Sequence, residues 1–453
     1  MEAFIEFLPF LMFLVLMPLL FSGFPVAFVL GGVGLGFWLL AVALGIENSN
    51  SFFLVVSRIF GGVVSKLVLV AIPMFIFMGT MLERSGVAKD LLHTLQLMTR
   101  RVPGGLALSV TILGVILAAT TGIIGASVVM MTLLALPVML ERGYHSPLAT
   151  GTIAASGTLG ILLPPSIMLV VMADLLSTSA GSLFMAAIGP SLLLALLYLL
   201  YIFITTWRNP SLAPPLEITE NTEQLSIMMV IRSFAPPVLL IVAVLGSIFG
   251  GFATPTEASG VGALGALLLA AFKGKLNISM LQDVLERSAL TTAMLFGLFV
   301  GATAFSYVFA LLGGHEAIIH LMESTGTGPW AILTLLMIVV FILGFFFDWI
   351  EITLIILPVF APVIAKLDFG AHLFDPSLTV HWFAILMAVN LQTSFLTPPF
   401  GFALFYMKGA APKSVKLAHI YKGIVPFVLL QLLGLVLLLI WPEIALWLPS
   451  ASK

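Results

Sequence analysis

Cysteine is absent from this 453-residue chain, and charge is scarce: 8% of residues are Asp, Glu, Lys or Arg, against 61% that are hydrophobic. The missing cysteines exclude disulfides, thiol catalysis and cysteine-ligated metals. Soluble domains carry about 25% charged residues, so no stretch of this chain reads as one. The net charge of −2 offers nothing to nucleic acid, and the seven histidines are scattered without metal-site spacing. The glycine string GGVGLG at 31–36 follows no strand, so it reads as a helix contact rather than a nucleotide loop. The first twenty positions hold Glu2 and Glu6 but no basic residue. That argues for a retained first span over a cleaved signal peptide.

What fills the chain is apolar runs of roughly 20 residues, the length that crosses about 30 Å of hydrocarbon. They predict an all-α polytopic membrane protein with spans at 4–22, 24–45, 63–83, 148–176 and 182–207, and a second set at 234–250, 255–272, 288–311, 380–407 and 424–448. Between the third and fourth span of each set lies an apolar block, 104–140 and 329–365, too long for one crossing and too glycine-interrupted for a straight helix. Both read as re-entrant helical hairpins. With about ten spans and two hairpins, fourteen lysines and arginines fall on one face and four (Arg58, Lys66, Lys366 and Lys453) on the other. The positive-inside rule makes the first face cytoplasmic and puts both termini outside. Turning either hairpin into a single crossing spoils this asymmetry.

Five crossings per set is an odd number, so the second half runs antiparallel to the first. This predicts an inverted-topology repeat of 1–207 and 234–453, joined by a cytoplasmic linker at 208–233 whose Pro and Glu content suits a solvated connection. Gly23-Phe24-Pro25 echoes Ala253-Thr254-Pro255, and Leu136-Pro137-Val138 echoes Leu357-Pro358-Val359. Val87–Arg101 and His315–Ser324 look amphipathic and interfacial.

Two spans carry adjacent prolines in their middle: Pro164-Pro165 in 148–176, and Pro398-Pro399 in 380–407, 234 residues later. Proline removes a backbone donor and clashes with the preceding turn, so each helix must break. Broken helices at membrane depth are tolerated where the freed backbone faces protein or a water-filled cavity. Two of them in matching positions of two halves mark a secondary transporter's binding site.

The candidate ligands cluster there. The tip of the first hairpin, ATTGIIGAS, offers hydroxyls of Thr120, Thr121 and Ser127, with Gly122 and Gly125 allowing close backbone approach. A helix beginning at such a tip points its positive end inward, which suits a carboxylate, and exposed carbonyls there suit sodium. The bland alternative is that small residues let helices pack. Facing the tip, the first broken helix supplies Ser156, Gly157, Thr158 and Ser166; the second supplies Asn390, Gln392, Thr393, Ser394, Thr397 and Gly401. The second hairpin holds Gly344, then Asp348 and Glu351 amid apolar residues. A carboxylate at membrane depth costs about 2.5–3.5 kcal/mol on insertion scales, so cation coordination is one reading of this pair. Capping of the returning helix is the other. Thr120, Thr121, Ser127, Ser166, Gln392 and Thr393 are read as substrate ligands, and the remainder as cation ligands. Glu257 reads as an N-terminal cap, and Lys66 as a snorkelling side chain.

GTLGILLPPS, FATPTEASG, LPVML after TTGIIGAS, and NLQTSFLTPPFG together resemble the large membrane subunit of TRAP (tripartite ATP-independent periplasmic) transporters, over about residues 5–445. The resemblance implies a sodium-driven elevator carrier in the bacterial inner membrane. It also implies a periplasmic binding protein that delivers an organic acid, such as a C4-dicarboxylate, and a separate small four-span subunit. The family's cation sites would fall on 121–127 with 157–166, and on 344–351 with 390–401. Many members have Gly where Ser394 stands. On this reading residues 63–176 and 288–408 form the moving part, while spans 1, 2 and 5 of each set and the amphipathic segments form the frame. The alternatives are a stand-alone carboxylate carrier of a related inverted-repeat class, a passive channel, and a membrane-embedded enzyme, for which only Asp348 and Glu351 qualify. Nothing in the sequence resembles an ATP-binding motif.

Overall fold

The computed structural model describes residues 2–121, 124–215, 224–325, 328–398 and 401–451, with the side chains of 2–6, 119–121 and 321–325 outside the description. Every regular element among the described residues is helical. Among the described residues eight helices are long and apolar enough to cross a membrane, and further shorter apolar helices accompany them. Large apolar side chains such as Phe28, Phe53, Ile227 and Phe272 remain exposed on the outer surface, as expected where lipid replaces water.

The hairpins form as helices Gly105–Thr121 and Ile124–Glu141, and Pro329–Leu343 and Trp349–Ile364. The first broken helix runs Ser146–Thr158, tightens into a 3-10 turn at Leu159–Ile161, unwinds, and resumes as Ile167–Leu175 beyond the Pro164-Pro165 pair. The second runs Thr379–Ser394 and resumes as Phe402–Ala410. The restart is at Gly401, whose φ of +47° is a backbone conformation that L side chains disfavour.

The two halves pack by exchange. Val26–Ala43 of the first half packs on Ile278–Leu311 of the second, and Pro255–Phe272 packs on Ala71–Arg84. The first segment of each broken helix packs on the fifth span of the other half: Ser146–Thr158 on Leu417–Ile440, and Thr379–Ser394 on Ala180–Arg208. The returning arm of each hairpin packs on the resumed broken helix of the other half: Ile124–Glu141 on Phe402–Ala410, and Trp349–Ile364 on Ile167–Leu175. Equivalent elements meeting equivalent partners is the mark of a pseudo-two-fold repeat.

The same packing groups the helices differently from the expected division at 63–176 and 288–408. Both third spans, Ala71–Arg84 and Ile278–Leu311, pack chiefly on the second spans of the other half and on each other, with smaller contacts to the hairpins, and both fifth spans lie among the hairpins and broken helices. The helices therefore group into a frame (spans 1–3 of each half) and an inner body (hairpins, broken helices and fifth spans). Amphipathic helices Val87–Thr99 and Gly314–Thr325 sit close to the expected segments, the first packed on Gly105–Thr121 and Ile227–Phe249.

Other expectations shift. The third span of the first half does not start at 63: helix Phe52–Ile59 runs into a π-turn at Phe60–Val64, breaks at Lys66, and restarts through Leu67–Val70. The second half's third span starts at Ile278, capped by Asn277. Its added turns are polar, and Asp283 pairs with Arg84 at 2.7 Å and Arg287 at 2.9 Å. The last span ends at Ile440, and Pro442 separates it from helix Glu443–Ala451. The linker is not solvated throughout. Its start docks under the hairpin, with the Leu212 carbonyl accepting from His145 N–H at 2.8 Å and the Ala213 carbonyl from Gly104 N–H at 2.9 Å.

Close helix contacts rest on glycine. A Cβ at Gly151 would stand 2.1 Å from the Gly423 carbonyl oxygen, and one at Gly301 would stand 2.2 Å from that of Ala27. Gly34, from the 31–36 string, fits against the Phe305 backbone in the same way. Gly151→Val should therefore lower stability by about 1–3 kcal/mol, the usual range for overpacking. Gly32, which has open space at its Cβ position, should accept valine with little change. Thermal unfolding of the two purified variants in detergent checks the contrast.

Candidate binding site

Both broken helices are buried where they stop, and every polar side chain there must find a partner. In the first, Gly157 lies against Val128 of the hairpin's returning arm, where a Cβ would come within 2.5 Å of the valine methyl. Gly114 of the other arm abuts Ser156. The Ser156 hydroxyl donates to Thr111 Oγ1 at 3.2 Å, and the Thr158 hydroxyl to the Ala155 carbonyl at 2.9 Å. Ser166 donates to the Ile161 carbonyl, tying the two sides of the break together. Ser127 is buried near the start of the returning arm. Gly125, two residues earlier, faces elsewhere: a Cβ there would meet the ring of Tyr406 at 2.9 Å. The side chains of Thr120 and Thr121, and Gly122 entirely, lie outside the described residues.

At the second crossing the Asn390 amide donates to the Met337 carbonyl at 2.7 Å, anchoring the broken helix on the hairpin's first arm. Thr393, Ser394 and Thr397 donate to the carbonyls of Val389, Leu391 and Thr393. The carbonyls of Leu391, Thr393 and Ser394 also accept N–H groups of Phe395, Leu396 and Thr397 as the helix tightens to its end. Gly344 and Ser394 fit as a pair: a Cβ on Gly344 would fall 1.9 Å from the Ser394 hydroxyl. Thr353, on the returning arm, is buried with no partner for its hydroxyl among the described residues.

Asp348 and Glu351 form a capping box on helix Trp349–Ile364. The Trp349 N–H donates to Asp348 Oδ1 at 2.7 Å, and the Asp348 N–H to Glu351 Oε2 at 3.2 Å. Capping thus accounts for the spacing of this pair, and each carboxylate retains lone pairs beyond it. Glu257 also forms a capping box, with Thr254, as expected.

Gln392 occupies a position of its own. Its Nε2 donates to Thr158 Oγ1 at 3.4 Å and to the Tyr198 hydroxyl at 3.4 Å, and Gln431 Nε2 donates to the same hydroxyl at 2.7 Å. Thr158 and Gln392 are 234 positions apart, the separation of the two proline pairs, so equivalent residues of the two broken helices meet where the pseudo-two-fold axis passes. The amide oxygens of Gln392 and Gln431 are buried and unpartnered among the described residues. The sequence reading missed Tyr198 and Gln431. Gln431 had a legible signal, a single amide inside the run FVLLQLLGLVLLL; Tyr198 had none.

Lys66 also differs from expectation. It does not simply reach for the surface: its Nζ pairs with Asp174 Oδ1 at 2.8 Å, and the Asp174 side chain is only 8% exposed. This ion pair joins the frame to the inner body. On the same seam a cavity of about 360 Å³ beside the second hairpin is lined by Phe21, Phe346, Phe402 and Phe405.

No group of three or more His, Cys, Asp or Glu side chains gathers among the described residues. What converges at each crossing is hydroxyl, amide and backbone oxygen, the donor set for a hard cation, and helix ends that suit an anion.

The model of the family described as "Tripartite ATP-independent periplasmic transporter, DctM component" matches residues 11–444. The chain is 31% identical to the C4-dicarboxylate TRAP transporter large permease protein DctM of Rhodobacter capsulatus, over 97% of this chain and 98% of that one. It is 29% identical to the isethionate TRAP transporter permease protein DctMQ of Oleidesulfovibrio alaskensis, over 95% of this chain and 66% of that longer one. Its fold is similar to that of the crystallised YdaH transporter of Alcanivorax borkumensis, with a TM-score of 0.61, 14% identity and 90% of each chain covered.

Relieving one side of the tight pair tests the second crossing. Gly344→Ala should cost about 1–3 kcal/mol through the clash with Ser394. Ser394→Gly in the same chain should restore at least half of the loss, a coupling that thermal unfolding of the four-member mutant cycle measures.

Proposed function

Because the chain belongs to the tripartite ATP-independent periplasmic (TRAP) transporter family as its large permease subunit, we propose that it imports an organic acid by sodium-coupled secondary transport. In this reading it sits in the bacterial inner membrane with both termini periplasmic. The acid arrives on a periplasmic binding protein, and a small four-span subunit braces the frame. The relatives that carry C4-dicarboxylate and isethionate by name favour an anionic organic acid.

The observation that carries this reading is the exchange packing. Each hairpin meets a broken helix of its own half and the resumed helix of the other half, so two oxygen-lined crossings flank one central region. Sodium at those crossings would sit among Ser156, Gly157 and Thr158 on one side, and Gly344, Asp348, Asn390, Ser394 and Thr397 on the other. The substrate carboxylate would lie between the tips, near Ser127, Ser166 and Thr393. Bound cations and helix N-termini would then balance its charge, since no lysine or arginine lies in either hairpin or its broken helix before Lys408. Each sodium entering down 100 mV supplies about 2.3 kcal/mol, before its concentration gradient is counted. The inner body, redrawn to include the fifth spans, would move against the frame as one unit.

Uptake into proteoliposomes holding the permease with its partner subunits, under imposed sodium or proton gradients, tests the coupling. Uptake should follow sodium; uptake indifferent to sodium overturns the proposal. Asp348→Asn separates charge from capping, because Asn caps nearly as well as Asp. It should weaken sodium activation while leaving thermal stability almost unchanged. Unchanged activation in Asp348→Asn would remove this residue from the cation site, while Ser127→Ala should raise the KM for the acid and leave sodium activation as it is.

A further inference from the structure

Outward of the hairpin tips, on the face that carries Arg58 and Lys66, the frame and inner body part to leave a cavity of about 370 Å³. Small-molecule sites commonly measure about 300–1,000 Å³. From the frame come Arg58, Lys66, Ser306 and Tyr307; from the inner body come Asp174 and Leu354. Leu354 lies six residues beyond Asp348 on the returning arm, about 9 Å along a helix at about 1.5 Å per residue. The cavity therefore lies beside the returning arm of the second hairpin and is not part of its tip.

Its charge is unbalanced. Arg58 holds its guanidinium carbon 5.9 Å from the centroid of the Tyr307 ring. That contact orients the group but occupies none of its N–H donors. Among the described residues no carboxylate lies within ion-pair distance of Arg58. Lys66 shares its charge with Asp174, yet its side chain remains 42% exposed and has donors to spare. Glu47 acts on Tyr307 electrostatically but does not line the cavity. The lining thus holds two cations against one carboxylate, with the hydroxyls of Ser306 and Tyr307 beside them.

We propose that this cavity is a receiving site for a carboxylate of the transported acid, which Arg58 and Lys66 bind before the acid reaches the hairpin tips. Arg58 offers the paired N–H geometry that a carboxylate fits. Lys66 offers a second charge, for which the incoming group competes with Asp174. The identity of the ligand rests on the organic-acid reading above; the cavity's preference for anions does not.

The absence of cysteine makes the test direct. Ser306→Cys places one thiol in the cavity of the reconstituted, full-length permease, with Thr303→Cys as a second reporter should the first fail to fold. Relative to their rates with a free thiol such as 2-mercaptoethanol, an anionic reagent, sulfonatoethyl methanethiosulfonate, should label it about fivefold faster or more than the cationic trimethylammonium analogue, as expected near net positive charge. Arg58→Gln should bring the ratio close to one, and Asp174→Asn should raise it. Millimolar succinate or acetate should slow labelling in the parent and not in Arg58→Gln. Equal labelling by the two reagents, a preference for the cation, or labelling unaffected by any carboxylate overturns the proposal. Because labelling needs no uptake, an anion preference that survives while uptake ignores sodium removes the coupling and keeps the site; the reverse result removes only the site.

Discussion

Hydrocarbon offers a backbone no hydrogen-bond partner, and two helices of this largely apolar chain are nonetheless interrupted at prolines. The fold depends on how those interruptions are covered. At the first, Ser166 ties across the gap to the Ile161 carbonyl and Gly157 seats against Val128. At the second, the last carbonyls of Thr379–Ser394 accept from the tightening turn, while Asn390 reaches the hairpin to bond the Met337 carbonyl. Neither half covers its own break alone. The resumed helix beyond each gap lies against the other half's hairpin, so the two repeats stabilise each other where each is weakest.

At the axis of that exchange, polar groups replace the glycine and alanine contacts found elsewhere. Thr158, Gln392, Tyr198 and Gln431 form one buried cluster in which two broken helices and two fifth spans meet. Removing polar groups from water is costly unless they bond to one another, and here the bonds join helices from both halves. The cluster ties the inner body together. Around it, the frame is held by backbone approaches at Gly34 and Gly301, where lipid supplies no hydrophobic drive and van der Waals contact has to suffice.

The seam between frame and inner body is different in kind. It carries the Lys66–Asp174 ion pair and two cavities, an aromatic one near Phe346 and a charged one around Arg58. In the proposed carrier the inner body would move along this boundary, which is partly polar and holds open volume where helix contacts inside either body hold glycine. A carrier needs such an asymmetry: rigid units, one of which holds the ligand, and a boundary that rearranges at small cost.

Much of this was legible in the residues. Apolar run length placed most of the spans, the count of lysine and arginine favoured two hairpins, and the proline pairs located both breaks to within a few positions. The spacing of Asp348 and Glu351 allowed either capping or cation coordination, and the structure shows capping. Lys66 could not be paired with Asp174 from sequence, because 108 residues separate them and a lone charge at a span end also suits the surface. The frame and inner body could not be told apart either, since a third span and a fifth span have the same composition and differ only in what they touch.

The sequence by itself determined which segments cross, where they break and that the halves are related, because length, apolarity and proline act locally along one chain. Only the tertiary structure decided which half completes which break, which side chains meet at the axis, and where the seam runs. Those outcomes depend on shape complementarity between helices far apart in sequence, such as Gly344 against Ser394 and Gly151 against Gly423, and no periodicity records a neighbour that lies on another helix.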